Sequence, residues 1–111
     1  MSFSQFTQKD YEVIARNYAE LKEAAKKRCA GEQELDVVQK AFDFANEAHK
    51  NVRRRSGEPY MLHPIAVAKI VVNDIGLGYK SIAAALLHDV VEDTDYTVDD
   101  IRHLFGDKIA S

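Results

Sequence analysis

Apolar residues recur along this chain at intervals of three and four, with polar residues filling the positions between them. In TQKDYEVIARNYAELKEAAKKRCAG, the residues Tyr11, Ile14, Tyr18, Leu21, Ala25 and Cys29 fall on one helical face. Thr7 suits the start of this helix and Gly31 its end, because a threonine oxygen accepts from free first-turn amides and glycine readily adopts the left-handed conformation of a helix stop. A second helix is predicted over EQELDVVQKAFDFANEAHK, where Leu35, Val38, Phe42, Ala45 and His49 share a stripe. His49 stands where the next apolar residue is due, which marks it as a residue to follow.

The periodicity breaks at NVRRRSGEPY, in which Ser56, Gly57 and Pro59 are loop formers. It resumes in HPIAVAKIVVNDIG, with Pro64 as a first-turn proline, His63 just outside the helix and Gly76 as its stop. GYKSIAAALLHDVVED predicts one continuous fourth helix. TVDDIRHLF predicts a fifth, opened by Thr97 and Asp100 in a capping box and closed by Gly106. GDKIAS reads as the first turn of another helix, with Asp107 as its cap and Ile109 and Ala110 beginning an apolar face, so a chain continuing beyond Ser111 is expected. No stretch alternates with period two, and there is no internal repeat or dividing linker. The predicted fold is an all-α bundle of about five helices, truncated at its C-terminal end.

At 111 residues one domain with one core is expected. A net charge of -3 gives no global attraction to nucleic acid or to an anionic membrane, so no DNA binding and no membrane contact are expected and any anion site must be local. Cys29 is the only cysteine, which excludes an internal disulfide. With no basic-then-apolar leader and no long apolar run, a reducing cytoplasm is the expected location.

The segment LLHDVVEDTD carries the candidate chemistry. On one helix His88 would lie over Glu92 and Asp89 over Asp93. Carboxylates at a helix C-terminus are disfavoured by up to about 1 kcal/mol each, so a compensating positive charge is expected. A divalent cation meets that need, since imidazole nitrogen and carboxylate oxygen both serve zinc, manganese or iron. Taken alone, the His-Asp pair reads more readily as a core histidine followed by solvated charges. His63 alone is likewise a polar residue at a helix start, but with His88 and Asp89 it makes three potential ligands from two helix ends. The opposite charge is concentrated in KNVRRR, where Lys50, Arg53, Arg54 and Arg55 precede Ser56. Guanidinium groups chelate phosphate and stack on aromatic planes, which suits a phosphorylated nucleotide; a solvated basic loop is an equal alternative.

Together, AHKNVRRRSGEPYMLHPIAVAKIV and SIAAALLHDVVEDTDYTVDDIRHLFGDKIA resemble the hydrolase domain of the RelA/SpoT homologues, HD-superfamily proteins that remove the 3′-pyrophosphate from the alarmone (p)ppGpp. The resemblance covers roughly residues 41–110. It implies a leading helix over residues 1–31 and an HD-type core over 32–111. It implies His63, His88 and Asp89 as ligands of Mn²⁺, with a fourth, an aspartate, beyond Ser111. Glu92 and Asp93 then act on the attacking water and the phosphate. Arg54 stacks on guanine, Arg55 and Ser56 surround the nucleotide, and Lys50 and Arg53 add to the anion site. The chain departs from the family at Asn51 and Val52, where glycine and glutamine are usual, which leaves the path of this loop open.

The function this implies is metal-dependent hydrolysis of (p)ppGpp to GDP or GTP and pyrophosphate, in a parent that either does or does not also carry a synthetase domain. Two alternatives stand beside it: an HD phosphohydrolase of another nucleotide, and an inactive nucleotide-binding regulatory module. The 111 residues alone are expected to hold metal weakly, to turn over little substrate and to cover exposed apolar surface by self-association. Ribosome binding enters only if the parent is a long bifunctional protein.

Overall fold

Thr7 opens the first helix as its sequence demands. In the computed structural model, which describes residues 2–110, the Thr7 side chain accepts from the Asp10 amide and the Asp10 carboxylate accepts from the Thr7 amide. This capping box satisfies two of the orphan donors at the start of α1 (Gln8–Ala25). Ile14, Tyr18, Leu21 and Ala25 are buried along it, whereas Tyr11 is exposed. The helix stops at Ala25 and not at Gly31. A turn covers Lys26 to Arg28, and Gly31 instead precedes α2 (Glu32–Ala48), which buries Val38, Ala41, Phe42 and Ala45. The Tyr18 ring stacks on Phe42 at a centroid distance of 3.8 Å, and its hydroxyl donates to Gln39 Oε1 at 2.9 Å.

After α2 the chain makes a short ribbon. β1 (Ser2–Phe3) pairs antiparallel with β2 (Val52–Arg53). Two-residue strands are too short to leave an alternating signature, so the sequence pattern is silent on them. Asn51 takes the left-handed conformation at φ 64° and accepts the Phe6 amide on Oδ1 at 2.8 Å, which ties the amino-terminal segment to the end of α2.

α3 (Leu62–Ile70) includes His63 in its first turn, not outside it. Its end widens into a π-helical segment, Val71–Ile75, stopped by Gly76 in the left-handed conformation. α4 (Tyr79–Leu87) ends earlier than the pattern predicts; His88 and Asp89 form a turn before α5 (Val90–Asp93) begins. The physical reason lies in the Ala85 carbonyl. In an uninterrupted helix it would accept the Asp89 amide, but the His88 ring takes it, with Nδ1 at 2.6 Å. α6 (Val98–Phe105) carries the predicted Thr97–Asp100 capping box, and α7 (Asp107–Ala110) follows Gly106 with Ile109 buried. The side chains of Asp107 and Ala110, assigned above to a cap and an apolar face, lie outside the described residues.

The bundle is held by α2 and α3 packed on either side of α4, with α1 against α3. Leu21, Val38, Met61, Ile65, Ile82, Leu86 and Val90 are fully enclosed at its centre. Each large aliphatic side chain buried this way contributes about 1.5–3 kcal/mol. Two of these residues, Met61 and Leu86, lie within two positions of His63 and His88, so the core fixes where those side chains emerge.

Candidate metal centre

His63 from the first turn of α3 and the His88–Asp89 turn meet at one point on the surface. His63 Nε2 lies 3.8 Å from Asp89 Oδ2, and His88 Nε2 lies 3.2 Å from Asp89 Oδ1. One donor atom from each of the three residues falls within 4.8 Å of the others. Ligands held about 2.1 Å from a common ion stand roughly 3 to 3.5 Å apart, so the two histidine-to-aspartate spacings are close to the edges of a coordination shell.

The hydrogen-bond directions favour a cation at this point. With a proton on Nδ1 shared with the Ala85 carbonyl, His88 presents a lone pair from Nε2 towards a carboxylate oxygen. Two acceptors facing each other need positive charge between them. Asp89 is itself buried, and its Oδ2 accepts from the Tyr60 hydroxyl at 2.7 Å. Burial first, and then this bond and the charges of Asp89 and Asp93, push the Tyr60 phenol well above the ordinary tyrosine range. It therefore stays a hydrogen donor. The donor set, two imidazoles and one carboxylate, fits a borderline divalent metal.

The two following acids diverge. Glu92 is exposed and lines a groove with His88, Leu87 and Val91. Asp93 turns the other way, and its Oδ2 lies 3.2 Å from Nε2 of His49, whose ring is completely buried. Nδ1 of the same ring lies 3.1 Å from the Ala45 carbonyl oxygen. Both partners accept only, and the contact with Asp93 is a hydrogen bond when Nε2 carries the hydrogen. The His49 and Tyr60 rings are 5.0 Å apart, which makes His49, Asp93, Tyr60 and Asp89 one connected polar group.

Beside this group lies an open cleft of about 530 Å³ lined by Arg54, Arg55, Ser56, Glu58 and Tyr60. Tyr60 is thus common to the cleft and to the histidine-aspartate cluster. Arg53 and Lys50, grouped with the other basic residues in the sequence, are not among its lining residues. Arg53 faces the amino-terminal segment. Its guanidinium donates to Asp10 Oδ2 at 2.6 Å and to the carbonyls of Gln5 and Gly57, and it lies over the Phe6 ring. Lys50 is exposed at the end of α2. Tyr60 carries no signal in the helical pattern, since it sits in a loop. The signal for His49 is its place on an apolar stripe.

A family model described as "HD domain" matches residues 41–111. The chain belongs to the HD-domain family. Its relatives include the guanosine-3′,5′-bis(diphosphate) 3′-pyrophosphohydrolase of Aquifex aeolicus, 42% identical over 78 residues, which are 70% of this chain and 11% of that protein. They also include the bifunctional (p)ppGpp synthase/hydrolase SpoT of Escherichia coli, 44% identical over 71% of this chain and 11% of that protein. A probable GTP pyrophosphokinase of Mycobacterium leprae is 47% identical over 68% of this chain and 9% of its own length. These are relatives of the RelA/SpoT kind, and the chain spans about a tenth of their length. No helix among the described residues is long and apolar enough to cross a membrane.

Proposed function

We propose that this HD domain is the hydrolase part of a cytoplasmic, Mn²⁺-dependent (p)ppGpp 3′-pyrophosphohydrolase. The observation that carries the reading is the adjacency of the His63, His88 and Asp89 cluster to the cleft lined by Arg54, Arg55 and Ser56, with Tyr60 shared between them. The names of the Aquifex aeolicus and Escherichia coli relatives support the same substrate.

When bound, a divalent ion supplies positive charge that polarises a phosphoryl oxygen and acidifies water. His63, His88 and Asp89 would hold it. Arg54 offers a planar cation to the guanine face, while Arg55 and Ser56 offer donors to the phosphates. Asp93 and Glu92 orient the attacking water and accept its proton. Water oxygen bonds to the phosphorus attached to O3′, the P–O3′ bond breaks, and O3′ leaves with a proton to give GDP or GTP and pyrophosphate.

The test is pyrophosphate release from ppGpp by full-length protein, compared with turnover of deoxynucleotides and cyclic nucleotides. Loss of Mn²⁺-dependent release in the double variant His88→Ala/Asp89→Ala supports the reading. Unchanged release in that variant, or preference for another nucleotide class, defeats it.

A further inference from the structure

His49 is a fully buried histidine that neither holds metal nor faces the cleft. The apolar stripe of α2 reaches its last position at this residue, where a leucine or phenylalanine would fill the space. A polar ring at that depth costs free energy unless its nitrogens are partnered. Here the partners are the Ala45 carbonyl and Asp93 Oδ2.

The backbone around His49 is fastened from several sides. Its amide donates to the Ala45 carbonyl at 3.0 Å, and its own carbonyl accepts the Val52 amide at 3.1 Å. Asn51, in the left-handed conformation, is pinned by the amides of Ser4 and Phe6. The ring is stacked loosely against Tyr60. Asp93, in contrast, ends a four-residue helix and is followed by a bend at Thr94 and Asp95. The bond across to α2 joins the less anchored residue to the better anchored one.

We propose that His49 is a positioning residue: its Nε2–H fixes one oxygen of Asp93 and so aims the other at the attacking water. The ring is fully buried, so Asp93 cannot rotate away without leaving a buried N–H without its acceptor. The proposal rests on the role given to Asp93 under the proposed function. It assigns His49 an effect on the rate of the chemical step and little on nucleotide binding, because the ring lies behind Asp93 and does not line the cleft.

The experiment compares His49→Phe, His49→Gln, Asp93→Asn and the His49→Phe/Asp93→Asn double variant in full-length protein. Misplacing a catalytic group by about 1 Å can cost about 10²-fold. His49→Phe is therefore expected to lower kcat by that order with KM changed less than about twofold, and His49→Gln, which keeps a donor near the Nε2 position, to recover most of it. In the Asp93→Asn background His49→Phe should cost nothing further, since it acts through Asp93. Impaired Asp93→Asn beside wild-type kcat in His49→Phe overturns this proposal alone, as does an equal loss from His49→Phe in both backgrounds. Wild-type turnover in Asp93→Asn overturns the role of Asp93 as well. A second readout needs no turnover and no folded His49 variant. In ¹⁵N-labelled protein, a His49 Nε2–H resonance protected from solvent exchange is expected and should vanish in Asp93→Ala; a wild-type ring with no hydrogen on Nε2 overturns the proposal.

Discussion

The Tyr60 hydroxyl donates to Asp89 Oδ2 at 2.7 Å, so a residue of the loop before α3 holds a carboxylate of the turn after α4. Outer partners of this kind fix the orientation of a metal-binding carboxylate, and removing one lowers metal affinity by about 10- to 100-fold. Tyr60→Phe, which keeps the ring and deletes the donor, is expected to weaken Mn²⁺ binding by that factor. Calorimetric titration with Mn²⁺ measures it, and unchanged affinity would dissociate Tyr60 from the centre.

Neighbouring arginines should behave oppositely. Arg54→Ala removes a cleft-lining guanidinium and is expected to raise KM for ppGpp by about tenfold, the ratio for about 1.4 kcal/mol of stacking on the guanine face. Arg53→Ala removes the fork that joins Asp10, Gln5 and Gly57, and is expected to lower the Tm while moving KM by less than about twofold. Steady-state kinetics and thermal melts of the two variants check this; equal KM effects would refute the division.

Acid should loosen the amino-terminal segment. The Arg53 guanidinium and the Thr7 amide hold the Asp10 carboxyl at about 2, below its ordinary 3.8. A carboxylate depressed in the folded state stabilises that state above its ordinary value, and the contribution fades as pH falls through the depressed one. Protection of the Ser4 and Phe6 amides, both bonded to Asn51, is expected to fall as pH drops from 3.8 towards about 2, and Asp10→Asn should remove that dependence. Amide exchange followed by NMR checks both.

Leu86 is fully enclosed two residues before His88. Leu86→Ala leaves a cavity beneath the cluster and is expected to destabilise the protein by about 2–5 kcal/mol in denaturant unfolding. A value under about 1 kcal/mol would mean that the core rearranges there.

The helical class was legible because burial follows the 3.6-residue stripe: Ile14, Tyr18 and Leu21 in α1, and Val38, Phe42 and Ala45 in α2, are the residues the period selects. Both capping boxes were legible too, since Thr7–Asp10 and Thr97–Asp100 act within three residues. What depends on distant partners was not. The break after Leu87 comes from a side chain competing for a carbonyl, and residue types alone do not say which acceptor His88 will choose. The separation of Arg53 from Arg54 depends on Asp10, 43 positions away. Likewise Glu92 and Asp93, read as a pair, part because a histidine 44 residues earlier claims one of them. His63, His88 and Asp89 were legible as a group because they stand at two helix ends, whereas Tyr60, in a loop, joins them only through its contact with the turn after α4.

Because α4 ends before His88, the donors of His88 and Asp89 hang from a joint directly after the buried Ile82, Ala83 and Leu86. The His88 ring both meets the Ala85 carbonyl where α4 stops and offers Nε2 to an ion, so exchanging it for an acceptor-only carboxylate alters the helix end together with the preference among ions. Ion selectivity and the end of α4 are thereby written in one residue, and the first cannot drift without disturbing the second.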